Sequence, residues 1–176
     1  LERAASKFLL SASTTLTVER VEARTLGPVL RTPPEGTPLA PRGPEVLTLS
    51  TESELPFGRR ERTVLWLDAT SGAALQGHKV VTGRKPYEKL FRYTAEGFFF
   101  WRAAPSSGAE EKAGPEGWSK RRSRLVRASP ALPPGAVVTD SYALLYLASA
   151  ARLDRPGAGL RVVLLAEEQP VELQFA

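Results

Sequence analysis

The run Val138-Thr-Asp-Ser-Tyr-Ala-Leu-Leu-Tyr-Leu-Ala-Ser-Ala-Ala-Arg-Leu153 decides how the rest of the chain is read. It is the one convincing helix in a sequence otherwise built of strand signals. Asp140, or Thr139 before it, can accept hydrogen bonds from the first free backbone N–H groups, and an aspartate suits the positive end of the helix dipole. Ala, Leu and Tyr then follow for several turns without Gly or Pro. Arg152 complements the C-terminal end, and Pro156-Gly157 stops the element. Apolar residues fall on nearly every face, so the spacing predicts a helix over 140–153 that is buried on more than one side. The fold class that follows is mainly β with one helix (α+β), a single curved antiparallel sheet wrapped around it. Residues 1–176 form one domain, because the helix needs sheet on both sides of it in sequence.

Working outward, residues 7–18 alternate, with Phe8, Leu10, Ala12, Leu16 and Val18 on one face. That is the period of a half-buried strand. The phase slips at Glu19-Arg20, where a bulge or bend is expected to restore the inward face. Residues 27–45 hold six prolines, which exclude a central strand and predict a long loop or extended arm. Short strand signals then come in succession: Val46–Ser53, Arg62–Asp68, Gln76–Thr82, Tyr87–Thr94 and Phe98–Trp101, separated by Gly- and Pro-containing turns. This is the pattern of an antiparallel meander. Residues 105–117 read as a polar surface loop and Trp118–Ala128 as a basic strand. Pro130–Gly135 reads as a loop into the helix. Leu160–Ala166 and Val171–Phe175 read as a closing hairpin.

Composition narrows the function classes. Apolar residues make up 42% of the 176 and charged residues 24%, which is globular rather than disordered. No apolar run approaches the roughly 20 residues that span a bilayer. Without cysteine, disulfides and thiolate chemistry are excluded. With Leu1-Glu2-Arg3 at its start and no Met, the chain is expected to be a trimmed piece whose targeting segment has been removed. The formal charge of +5 is local: Lys79–Arg127 carries 12 Lys and Arg against 5 Glu, and the remainder is slightly acidic. Such a stretch is either a contact for an anionic partner or a solvated, Arg-rich surface.

The search for chemistry selects little. His78 is the only histidine, so a catalytic triad or a paired-histidine metal site has almost nothing to draw on. No catalytic residue, metal ligand or cofactor is assigned, and the protein is read as a non-enzyme. The aromatic cluster Tyr87, Phe91, Tyr93, Phe98, Phe99, Phe100 and Trp101, interleaved with Lys89, Arg92 and Arg102, is the most suggestive feature. Because Phe98 to Trp101 are consecutive, they face both sides of the sheet. One face is core; the other needs cover from the helix, a second layer, a ligand or a partner.

Several of these residues resemble a bacterial envelope family known as domain of unknown function 3108. They are Thr63-Val-Leu-Trp-Leu-Asp68 with Ser71-Gly72 and Ala74-Leu75-Gln76, then Lys89-Leu-Phe-Arg-Tyr93 with the Gly97-Phe98 turn. The clearest are Pro134-Gly135 and Asp140 followed by Ala143, Leu144, Leu145 and Tyr146. The likeness covers about residues 60–176. It implies a periplasmic or outer-membrane-associated protein whose fold is similar to the lipoprotein carriers, a half barrel around a helix.

The leading expectation is therefore a non-enzymatic envelope protein that binds an apolar or amphipathic ligand, such as a lipid or lipoprotein acyl chain. Tyr87, Phe91, Tyr93, Phe98, Phe100, Trp101, Leu144 and Tyr146 would line the cavity, and Arg92, Arg102, Arg122 and Arg124 would meet an anionic headgroup. The first alternative is a structural or assembly module of an envelope complex, binding a protein partner through the Pro-rich arm or a sheet edge. The second is binding of an anionic polymer, nucleic acid or polysaccharide, through the stretch 79–127. Peripheral membrane contact is compatible with each, and nucleic acid ranks last among the partners.

Overall fold

The computed structural model describes residues 13–127, 137–140, 143, 144, 147, 160–166 and 169–175. Seven strands follow one another in an open antiparallel meander: β1 (Ser13–Glu22), β2 (Glu45–Leu55), β3 (Arg59–Asp68), β4 (Ala74–Thr82), β5 (Tyr87–Thr94), β6 (Gly97–Ala104) and β7 (Lys120–Arg127). A short helix, α1 (Gly108–Ala113), lies between β6 and β7. A second sheet has the order β10 (Gln169–Phe175), β9 (Leu160–Ala166), β8 (Val137–Asp140). Two sheets replace the single one expected, and β8 pairs with β9 in parallel. The closing hairpin is present, with Val171 opposite Leu164.

The alternation along each strand sorts side chains to two faces, and the register aligns them across strands. On one face Leu47 stands opposite Leu67, Leu49 opposite Leu65, Tyr93 opposite Phe98 and Phe91 opposite Phe100. These residues form the main core, joined by Ala143 and Leu147, with Val138 packed against it. Leu144 and Leu147 have α-helical and Ala143 3-10 backbone; apart from Asp140, the other residues of the helix expected over 140–153 lie outside the described residues. Val138 and Thr139 belong to a strand, and β8 runs to Asp140, the residue expected to open the helix.

The opposite face carries Val46, Trp66, Gln76, Leu90, Arg92, Phe99 and Trp101. Part of its cover is the proline-rich segment; Phe98, Phe99 and Phe100 are buried, while Trp101 stays half-buried. Leu26, Leu30 and Leu39 pack there with Val46, Trp66 and Leu75. The segment is not a projecting arm. Gln76 clasps it by accepting from Arg31 N at 2.8 Å and donating to Val29 O at 3.0 Å. Leu39 N donates to Tyr93 O, Pro38 bridges to Thr94, and Arg42 N donates to Asp68 Oδ1 at 2.9 Å. We call residues 23–44 the strap.

The expected bulge in β1 is absent: its register with β2 is unbroken from Ser13–Glu54 to Glu22–Glu45. Leu16 and Val18 are 46% and 45% exposed. β1 is an edge strand, and on this exposed face Arg20 reaches Glu45 at 2.9 Å, so the slip in phase needs no repair. Phe8, Leu10 and Ala12 lie outside the described residues. The one bulge found is in β4, where Trp66 faces Gln76 but Leu67 faces Ala74, leaving Leu75 as the extra residue.

Residues 105–117 are more ordered than a loop. Ser107 caps α1 by accepting from Glu110 N at 3.3 Å. Glu110 in turn accepts from Ser106 N at 2.7 Å and Ser119 N at 3.0 Å. Trp118, buried beneath, donates Nε1–H to Glu110 O at 3.0 Å.

Candidate anion-binding site

The residues expected to line an apolar cavity are divided between the two faces. Tyr93, Phe98 and Phe100 are fully buried and Phe91 half-buried, all in the main core. Phe91 packs on Phe100 and Phe98 at centroid distances of 5.2 and 5.9 Å. They contact one another because cross-strand pairing puts them side by side. Leu144 is half-buried, and Tyr146 lies outside the described residues. Tyr87 sits further along the same face, under Arg102 at 5.1 Å and Lys89 at 5.5 Å. Trp101 lies on the other face, against Phe99 at 4.5 Å.

Arg92, expected to meet a headgroup, is 5% exposed and faces inward. Its guanidinium donates to Leu39 O at 2.7 Å and to the carbonyls of Leu75 and Tyr93. The bulged residue thus supplies one acceptor and the strap another, so Arg92 sews the strap to the sheet. Burial pulls its pKa below the usual arginine value. Arg102, Arg122 and Arg124 remain on the main-core face, beside Tyr87 and Phe100 at its margin. Arg122 pairs with Arg102, Arg102 with Lys89 and Lys89 with Lys79, a row of four cations crossing four strands. Arg122 lies 5.5 Å from the Phe100 ring, and Lys79 reaches Glu61 at 2.6 Å.

Two arginines that no sequence pattern brings together border one cleft on the strap-covered face. Arg31 comes from the strap and lies 5.5 Å over the Trp101 ring. Arg121 comes from β7 and donates from Nε to Trp118 O and from Nη2 to Glu116 O, both at 2.8 Å. Backbone carbonyls, not a carboxylate, fix its fork. Together with Leu90, Glu88, Pro115 and Glu116 they border an open cleft of about 570 Å³, with Arg102 and Arg122 at its rim. Two arginine side chains, Arg31 and Arg121, thus share this face with Glu88 and Glu116, while Arg102 and Arg122 turn theirs to the main-core face against Tyr87 and Phe100. Glu88 is already bonded, Oε1 to His78 Nε2 at 2.7 Å. That bond, with the nearby charges of His78, Arg31 and Arg121, outweighs burial and holds the Glu88 carboxyl below the usual range.

The arrangement suits an anion better than a metal or a reaction. Among the described residues no three His, Asp or Glu side chains gather as metal ligands. Arg31 and Arg121 present planar guanidinium donors, and Trp101 and Leu90 give the cleft an apolar floor. Beyond the cleft, exposed cations follow the edge strand β7 on both faces, Arg127 on the cleft's side and Lys120, Arg122 and Arg124 on the other, so a chain that tracks them wraps the edge. At roughly 3.3 Å per residue, that strip spans on the order of 23 Å.

The chain matches no protein-family model, no curated protein and no solved structure. No helix among the described residues is long and apolar enough to cross a membrane.

Proposed function

We propose that the protein is a binding module for an extended anionic polymer, seated in the cleft between Arg31 and Arg121 and running along β7. The observation that carries this reading is that Arg31, stacked over Trp101, and Arg121, from segments ninety positions apart in sequence, border one cleft. Such groups take carboxylate, sulfate or phosphate bidentately, and Trp101 adds a flat wall for the ring of a sugar or base. In the envelope setting expected from the resemblance, the polymer would be an acidic glycan. The acyl-chain reading loses ground, because Tyr93, Phe98 and Phe100 pack on the chain's own core. The partner-arm reading loses ground likewise, because the proline-rich segment is fastened to the sheet.

The test is binding of a sulfated oligosaccharide and of a single-stranded oligonucleotide across a range of salt. Affinity should fall linearly on a log–log plot, by about 0.7–0.9 in slope per ion contact. Arg121→Gln and Arg31→Gln should each weaken binding about tenfold and each remove roughly one contact from the slope. Whichever probe binds tighter names the polymer class. Unchanged affinity and slope in both variants would reject the cleft as the site.

A further inference from the structure

We propose a second docking surface, for an anionic lipid bilayer, on the two hairpin tips at the end of the sheet remote from the strap. Phe57 sits on the tip between β2 and β3 and is 76% exposed, far more than any other large apolar side chain described. An exposed apolar residue is ordinary in itself. Phe57 is different because its backbone is left-handed, at φ 64°, where glycine, asparagine or aspartate fit at lower cost than a bulky ring. A tip that only had to turn the chain would use one of those. Keeping a phenylalanine there points the choice at the ring.

The tip does not stand alone. Gly83, in the turn between β4 and β5, approaches so closely that a Cβ on it would lie 2.3 Å from Gly58 O. Gly83 has φ 80°, which keeps that contact available to glycine alone. The second tip carries Arg84 and Lys85, both exposed, and Lys85 is also left-handed at φ 56°. Arg59 and Arg60 flank the first tip. Arg59 meets Glu61 at 2.6 Å and Arg60 meets Glu54 at 3.4 Å, so the net positive charge comes mainly from Arg84 and Lys85. Glu111 and Lys112 of α1 border the neighbouring cleft with Gly83 and Pro86, and their charges offset one another. The juxtaposition is one aromatic plug with cations on the adjoining tip. That matches a bilayer surface, where the ring enters the headgroup layer and the cations meet anionic lipid.

The experiment is co-sedimentation with vesicles of phosphatidylcholine alone and of phosphatidylcholine with phosphatidylglycerol. The wild-type chain should bind the anionic vesicles and not the neutral ones. Phe57→Ala should lower the partition coefficient about tenfold, the effect of removing a buried ring. Arg84→Gln with Lys85→Gln should lower it about fivefold per charge. Phe57→Gly separates a docking role from a structural one: it relaxes the backbone, so the folding midpoint should hold or rise while vesicle binding is lost. Arg121→Gln should keep its dependence on Phe57, and Phe57→Ala should keep its affinity for the polymer, so either site can fail without the other. Binding that ignores Phe57 would reduce the effect to bulk charge and overturn the proposal, as would absence of binding to the anionic vesicles.

Discussion

Replacing Arg92 by methionine tests how the strap is held, and with it the position of Arg31. The thioether fills most of the space of the arginine stem but offers no donor to Leu39 O or Leu75 O. Hydrogen bonds from a charged donor are worth about 1.5–3 kcal/mol each, so two good ones set a gross loss of roughly 3–6 kcal/mol. Removing a buried cation returns part of this, since its desolvation opposes folding by about as much as several kcal/mol. The expected net loss is about 2–4 kcal/mol by urea unfolding. A second signature is local. The amides of Leu39, bonded to Tyr93 O, and of Arg31, bonded to Gln76 Oε1, should exchange faster than those of the β2–β3 ladder. Polymer affinity should fall toward that of Arg31→Gln. A loss below about 0.5 kcal/mol with unchanged exchange at Leu39 and Arg31 would refute the reasoning. The strap would then be held by the burial of Leu26, Leu30 and Leu39 alone.

Asp68 fastens the other end of the strap. Burial pushes its carboxyl up, but donors from Ser71, Arg42 and Thr70 outweigh burial and hold it below the usual range. Its contribution is therefore full above the unfolded value of about 3.9 and is lost as pH falls through the lower folded value. Asp68→Asn should cost about 1–3 kcal/mol at neutral pH, with the gap to wild type closing in acid; a gap independent of pH would contradict this. Glu110 is held down to about 2, first by Ser106 N and Ser119 N and then by their hydroxyls. The Ser119 amide resonance should titrate near that value, and a midpoint near the ordinary 4.5 would mean that the loop between β6 and β7 is not closed by this carboxylate.

The strands were legible because alternation and turn residues act locally. β2 to β6 lie within three residues of the expected ends, and Phe98, Phe99 and Phe100 are buried on alternate faces, as consecutive aromatics require. The strap was not legible. Leu26, Leu30 and Leu39 follow no period, and six prolines resemble an arm until a buried cation is found to hold them. In sequence Arg92 reads as a surface charge, although it shares its face with Leu90, a buried neighbour two residues away. In the 105–117 segment, Ser107 followed three residues later by Glu110 is a helix-start signal embedded in a polar, Gly- and Pro-containing stretch that otherwise reads as loop. The edge strand β1 misled in the opposite direction: an alternating pattern predicts burial only where something covers the strand. For the site, Trp101 and the basic stretch were visible in sequence. Arg31 was not, because only long-range packing carries the strap across to β6.

Amide hydrogen exchange with and without saturating polymer locates binding most directly. Protection is predicted at Arg31, Trp101 to Ala103 and Glu116 to Ser123, with the tips at 56–58 and 83–86 unchanged. Protection spread evenly over the surface, or confined to segments that do not border Arg31 and Arg121, would contradict the assignment of the cleft.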